Sequence, residues 1–172
     1  KGARVVLTDR VAPASHLTTH PDVQFLQVDV TDRAAVGAAY ESALGRFGRI
    51  DAAVLAAGVE GPGALVEEIS EADLAVIGLV RAAALEAGGD GVRVNALCPG
   101  PIDSDMMRRL DKALSDRDPQ RVRGQADAAK ALPLQRYVSA GEVARMAAFL
   151  CSDDSGSCHG GTYMVDGGFT AR

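Results

Sequence analysis

The sequence predicts an α/β fold: a doubly wound parallel sheet with helices on both faces. Three observations carry this. Short apolar, β-branched runs alternate along the chain with segments of helical periodicity. The run Arg49–Gly58, "RIDAAVLAAG", is apolar almost throughout, as suits a parallel strand covered on both faces. Alanine and glycine are plentiful while aromatics make up only 4% of residues, which favours close helix-on-sheet packing.

"ARVVLTD" (Ala3–Asp9) reads as the first strand and "VQFLQVDV" (Val23–Val30) as the second, separated by a polar stretch broken by Pro13 and Pro21. Thr31–Gly48 reads as a helix. Ala35, Ala39, Ala43 and Phe47 recur at helical spacing with Val36 and Leu44 alongside, a Thr or Asp caps the start, and Gly48 ends it. Arg49–Gly58 is the third strand, followed by a Gly/Pro loop and a helix start. "SEADLAVIGLVRAAALE" (Ser70–Glu86) opens like a capped helix and stays apolar long enough to look like two helices joined without a turn. Asp90–Gly100 is the fourth strand, ending in a Pro-Gly turn. "SDMMRRLDKALSD" and "QADAAKAL" are helix candidates. Ser139–Asp153 is a helix with a capping box of Ser139 and Glu142, and "GGTYMVDGG" holds a last short strand. Without repeats, low-complexity tracts or linkers, residues 1–172 read as a single domain.

Composition limits the function. With 47% apolar and 24% charged residues the chain has the makeup of a soluble globular protein. A net charge of −5 argues against a nucleic-acid groove, and no apolar run is long enough to span a membrane. Cys98, Cys151 and Cys158, without CxxC spacing, suggest reduced thiols in a cytoplasmic protein, and nothing resembles a signal peptide. His16, His20 and His159 are too dispersed for a metal site, and neither a GxSxG elbow nor a P-loop is present.

In an open α/β sheet, ligands lie outside the carboxyl ends of the strands. Asp9, at the first strand end, has the position of a carboxylate that accepts hydrogen bonds from the adenosine ribose and repels a 2′-phosphate, which favours NAD. Arg10 beside it points the other way, since a guanidinium pairs with that phosphate, and a solvated turn Asp is the plain alternative. Asp29 is placed to meet an adenine amino group with the Val30 backbone against the ring; the alternative is that it begins the cap of the next helix. Ala56, Ala57 and Gly58 offer small side chains to a closely approaching ribose. Pro99 and Gly100 form a turn, and Ser104 suits either a helix cap or a phosphate or amide contact.

Together these strand ends resemble the short-chain dehydrogenase/reductase family. "GARVVLTDR", "VDVTD", "IDAAVLAAG", "RVNALCPGPIDSDM" and "EVARMAAFLCSDDSGSCHGGTYMVDGG" match its segments in the right order. The resemblance implies a Rossmann-like fold, a nicotinamide cofactor (NAD, with NADP as the alternative), redox chemistry on a small alcohol or ketone substrate, and a homotetramer or homodimer. It assigns Asp9 to the adenosine ribose, Asp29 and Val30 to adenine, and Ala56, Ala57 and Gly58 to the ribose side. It sets Pro99, Gly100, Ile102 and Ser104 against the nicotinamide and pyrophosphate, and makes Met106 to about Ala131 a substrate lid. A non-catalytic nucleotide-binding or assembly protein on the same scaffold, and a Rossmann-like methyltransferase, are the other classes weighed; the "PG" turn and "VDGG" strand argue against the latter.

The departures are specific. The family's glycine-rich loop would precede Lys1. Leu55 and Ala56 replace two asparagines, and Ser104 stands in place of a Thr. The family's chemistry uses a Tyr with a Lys four residues later, yet Tyr40, Tyr137 and Tyr163 are followed at that distance by Leu44, Gly141 and Gly167. This chain therefore holds no catalytic residue of the family's set. "ISEADL" resembles the start of one family helix and "AVIGLVRAAALE" the helix just after the catalytic Lys, so a discontinuity is expected at 74/75, with the fifth strand, the Ser, the Tyr and the Lys left out. In the family's strand order, 3-2-1-4-5-6-7, this chain would lack the first and fifth strands. Each absence opens a gap of about 10 Å between backbones that need a common neighbour. The residues alone are therefore not expected to make a stable monomer.

Overall fold

The structure, a computed structural model, describes residues 2–56, 71–117, 129–130 and 132–171. The chain forms two compact units, Lys1–Val59 and Glu60–Arg172.

In the first unit, β1 (Val5–Asp9) pairs in parallel with β2 (Val23–Gln27), Val5 opposite Val23 and Asp9 opposite Gln27. The polar stretch between them holds one helical turn, α1 (Ser15–Thr18). Helix α2 (Arg33–Phe47) starts where Asp32 accepts hydrogen bonds from the Ala34 and Ala35 amides, and stops at Gly48, whose φ of 79° is open to glycine at little strain. Its inward face is Ala35, Val36, Ala39, Ala43 and Phe47, as the periodicity predicts, whereas Leu44 is exposed. Arg4 and Arg46 lie over the Phe47 ring, 4.9 and 5.2 Å from its centroid.

The expected third strand does not form within the described residues. Asp51–Ala56 is not part of any strand, and Val54 and Leu55 are 62% and 89% exposed. The sequence suits a strand covered on both faces, but a strand exists only where a neighbour takes up its backbone groups. Ala57 and Gly58 lie outside the described residues.

The second unit begins with α3 (Glu71–Ala87), one helix that runs through Leu74 and Ala75. The two helix beginnings that the sequence reading separates at 74/75 are thus one element here. Ala, Leu and Glu on both sides of the junction readily continue a helix. A 3₁₀ turn (Gly88–Asp90) leads to β3 (Ala96–Pro99), which pairs in parallel with β4 (Thr162–Val165), Ala96 opposite Thr162. Between them come α4 (Asp105–Arg117) and α5 (Ala140–Leu150). The capping box forms as the sequence predicts: the Glu142 amide donates to Ser139 Oγ at 3.3 Å, and the Ser139 amide to Glu142 Oε2 at 2.8 Å.

The described strands therefore form two separate parallel pairs, β1–β2 in the first unit and β3–β4 in the second. These are the adjacencies that the order 3-2-1-4-5-6-7 retains once its first and fifth strands are absent, and Asp51–Ala56 corresponds to the strand left without either neighbour. The buried apolar residues are correspondingly few among those described: Val28, Ala43, Ala84, Ala96, Leu132 and Val138.

Candidate functional site

In the first unit the predicted residues gather where β1 and β2 end. Asp9 closes β1; its Oδ1 accepts the Val11 amide at 2.9 Å, and its other oxygen is unengaged among the described residues. Asp29 does not begin the cap of α2, the alternative named for it above. Asp32 takes over the cap of α2, and Asp29 Oδ1 accepts the Thr31 amide at 2.9 Å and the Thr31 hydroxyl at 2.8 Å. The Thr31 amide, then its hydroxyl, hold the Asp29 carboxyl below its ordinary range, with Arg10 adding to the effect. Arg10 Nη1 stands 4.0 Å from Asp29 Oδ2, so the guanidinium leans toward this carboxylate. Val30 is 57% exposed and presents an apolar surface beside it. Ala56 is exposed at the end of the unpaired segment.

In the second unit Pro99 ends β3 and is exposed. Gly100 answers a packing demand within the chain. A Cβ there would meet the Asp166 Cα at 2.6 Å, and the Gly100 amide donates to the Val165 carbonyl at 3.0 Å. Ile102 forms an isolated parallel bridge with Val138, and Ser104 caps α4, its Oγ accepting the Met107 amide at 3.2 Å. Asp166, in the "VDGG" turn, is nearly saturated. It accepts from the Gly168 amide, the Thr170 amide and the Thr170 hydroxyl, and these bonds, the hydroxyl's first, hold its carboxyl below the usual range. Of the expected lid, Asp105–Arg117 is helical, while 118–128 and Ala131 lie outside the described residues.

The "RVN" segment before β3 serves as joinery. Arg93 donates to the carbonyls of Leu150, Ser152 and Cys158, and Asn95 links the Cys158 carbonyl to the Gly161 amide. A shallow cavity of about 390 Å³ is lined by Arg136, Val138, Glu142, Met164 and Asp166 among others, but by none of the predicted residues. Among the described residues no group of three His, Cys, Asp or Glu side chains is arranged to hold a metal, and no helix is long and apolar enough to cross a membrane.

The sequence reading missed one pair. Asp111 sits on the inward face of α4 with Met107 and Leu110, 6% exposed, and the Tyr137 phenol donates toward its two oxygens at 3.0 and 2.9 Å. An acid at a position of apolar periodicity was the available signal, but its partner is 26 residues away. Burial first, then the Asp111 carboxylate, push the Tyr137 phenol far up, the reverse of what a proton-donating tyrosine requires. The Tyr163 phenol is also raised, chiefly by its hydrogen bond with Cys158.

A family model described as "Enoyl-(Acyl carrier protein) reductase" matches residues 1–75 and 72–170. The oxidoreductase UcpA of Salmonella typhimurium is 38% identical over 112 residues, which are 65% of this chain and 41% of that protein. The matched region thus spans about two fifths of that relative's length. Levodione reductase of Leifsonia aquatica is 27% identical over 232 aligned positions, covering 99% of this chain and 86% of that protein. Set against the 172 residues here, 232 positions leave about 60 of the relative without a counterpart. A crystal structure of levodione reductase superimposes with a TM-score of 0.82, covering 99% of this chain and 89% of that one at 27% identity. L-sorbose reductase from Gluconobacter frateurii, solved with NADPH and L-sorbose, gives a TM-score of 0.75 at 22% identity, over 96% of this chain and 86% of that one.

Proposed function

Because the chain belongs to the short-chain dehydrogenase/reductase family, we propose that it is the nucleotide-holding frame of an oxidoreductase that prefers NAD(H) and acts on an alcohol or ketone. The observation that carries this reading is the end of β1, where Asp9 keeps one carboxylate oxygen unengaged among the described residues. That geometry suits a ribose diol and opposes a 2′-phosphate. Asp29 and Val30 are the proposed adenine contacts, with Ala56, Ala57 and Gly58 on the ribose side. Pro99, Gly100, Ile102 and Ser104 line the nicotinamide and pyrophosphate side. Gly100 and Ser104 serve there through the turn they build, since each already has an internal role. When bound, the nicotinamide supplies or accepts the hydride. The residues of this chain orient the dinucleotide; none of its tyrosines is a proton donor of the family's kind.

We place the Ser, Tyr and Lys in a segment that falls between the positions of Leu74 and Ala75. The two family-model matches meeting at 72–75, and the 60 or so unmatched positions of levodione reductase, support that reading. A cytoplasmic homo-oligomer is the proposed setting. A second reading, a non-catalytic nucleotide-binding protein, is favoured by the missing Tyr-Lys spacing. Isothermal titration of the chain with NADH and NADPH tests both. NADH should bind about tenfold tighter than NADPH, and the chain alone should turn over no alcohol or ketone. Absence of NADH binding would sink the nucleotide site. Turnover by the 172-residue chain would sink the missing-pair argument.

A further inference from the structure

We infer that Asp29 is a second determinant of cofactor choice: it holds the Arg10 guanidinium at the end of β2 and so withholds it from a 2′-phosphate. The inference rests on the nucleotide site proposed above and adds to it a restraint on the residue beside Asp9. Arg10 is suited to such a phosphate, because a guanidinium meets phosphate oxygens in a planar, two-pronged contact. In the structure it is turned elsewhere. Asp9 Oδ1 is taken by the Val11 amide at 2.9 Å. The ion pair that Arg10 makes among the described residues is with Asp29, Nη1 to Oδ2 at 4.0 Å.

Two residues flanking the buried Val28 hold Arg10 there. Gln27 Nε2 donates to the Arg10 carbonyl at 3.0 Å, which fixes the main chain as it leaves β1. Asp29 meets the guanidinium. Its Oδ1 accepts the Thr31 amide and hydroxyl, so the direction of Oδ2 is set whether or not Arg10 is near. A carboxylate already oriented loses little further freedom on pairing. The Val28 amide donates to the Asp9 carbonyl at 3.0 Å and keeps the two strand exits together. NADH leaves the Arg10–Asp29 pair in place. NADPH must break it to gain Arg10, so the strength of the pair separates the two cofactors. That strength is modest. The Arg10 and Asp29 side chains are 65% and 44% exposed, and an exposed pair shifts an equilibrium by about two- to fivefold. Asp9 remains the stronger selector, and Asp29 adds to it.

Isothermal titration of the full chain with NADH and with NADPH tests this in the native protein, Asp29→Asn, Arg10→Ala and the double variant. The Asn side chain keeps an oxygen for the Thr31 bonds and removes only the charge. Asp29 is also a proposed adenine contact, which both cofactors share, so the readout is the ratio of their affinities. Asp29→Asn should move that ratio toward NADPH by about two- to fivefold. Added to Arg10→Ala, it should leave the ratio unchanged. The Asp29 carboxyl gives a check that needs neither Asp29→Asn nor a nucleotide. Thr31 first, and Arg10 last, hold it low, so by NMR it should titrate higher in Arg10→Ala; an unmoved Asp29 overturns the pairing. NADH binding with an unchanged ratio in Asp29→Asn overturns the inference and leaves the nucleotide site standing. An equal shift in the Arg10→Ala background also overturns it, because the carboxylate then acts on the phosphate directly. If neither cofactor binds the native chain, the site and this inference fall together.

Discussion

Replacing Tyr137 with Phe removes one oxygen from a contact that ties α4 to the segment leading into α5. In the native protein the phenol faces both oxygens of Asp111, at 3.0 and 2.9 Å, and Asp111 is 6% exposed. A hydrogen bond to a charged group contributes about 1.5–3 kcal/mol, and a buried acceptor left without its donor suffers its desolvation in full. Because so little water reaches Asp111, the loss should fall in the upper part of that range, about 2–3 kcal/mol. With a urea m-value of about 2 kcal/mol per molar, the unfolding midpoint should drop by about 1–1.5 M. Adding Asp111→Leu should recover part of the loss, with a coupling of about 1 kcal/mol or more in the double-mutant cycle. A Tyr137→Phe variant within about 0.5 kcal/mol of the native protein, or strictly additive effects, would refute the pairing.

Alkaline stability checks the same bond from another side. The folded phenol is raised above its ordinary 10.0, so the unfolded chain ionises first and stability falls as pH rises past that value. The Tyr137→Phe variant should lose much of this alkaline slope in a pH series of thermal melts. Glu142 behaves oppositely. The Arg136 guanidinium, then the Ser139 amide, hold its carboxyl at about 2 against an ordinary 4.5. Its contribution is therefore whole above 4.5 and fades as pH falls toward 2, and Glu142→Gln should flatten the acid limb of the stability curve. Gly100→Ala should destabilise by about 1–3 kcal/mol through overpacking against Asp166, read as a lowered Tm. Asp9→Ser should shift the preference from NADH toward NADPH by about tenfold, measured by titration; an unchanged ratio counts against Asp9 as the selector.

Local signals were legible and long-range ones were not. The Ser139–Glu142 capping box, the Gly48 stop and the face of α2 each lie within one or two helical turns, so the residues themselves carry the information. Asp51–Ala56 shows the opposite case. Its apolar run names a strand, but strand formation depends on neighbours that the described structure does not provide. Asp29 fell between these. Its place after β2 was readable, whereas its engagement with Thr31 followed only once Asp32 had taken the helix cap. For the candidate site, the strand ends name residues by position, but Gly100 and Ser104 answer demands of packing and capping that spacing alone cannot separate from ligand binding.

The joint made by Arg93 and Asn95 has a consequence for inheritance. Every carbonyl and amide it holds, from Leu150 to Gly161, lies downstream of residue 75. A gene that loses coding sequence ahead of that point leaves all these bonds intact. The residues after 75 can thus keep this joint whatever changes ahead of them, as a hinge plate stays true after its door is gone.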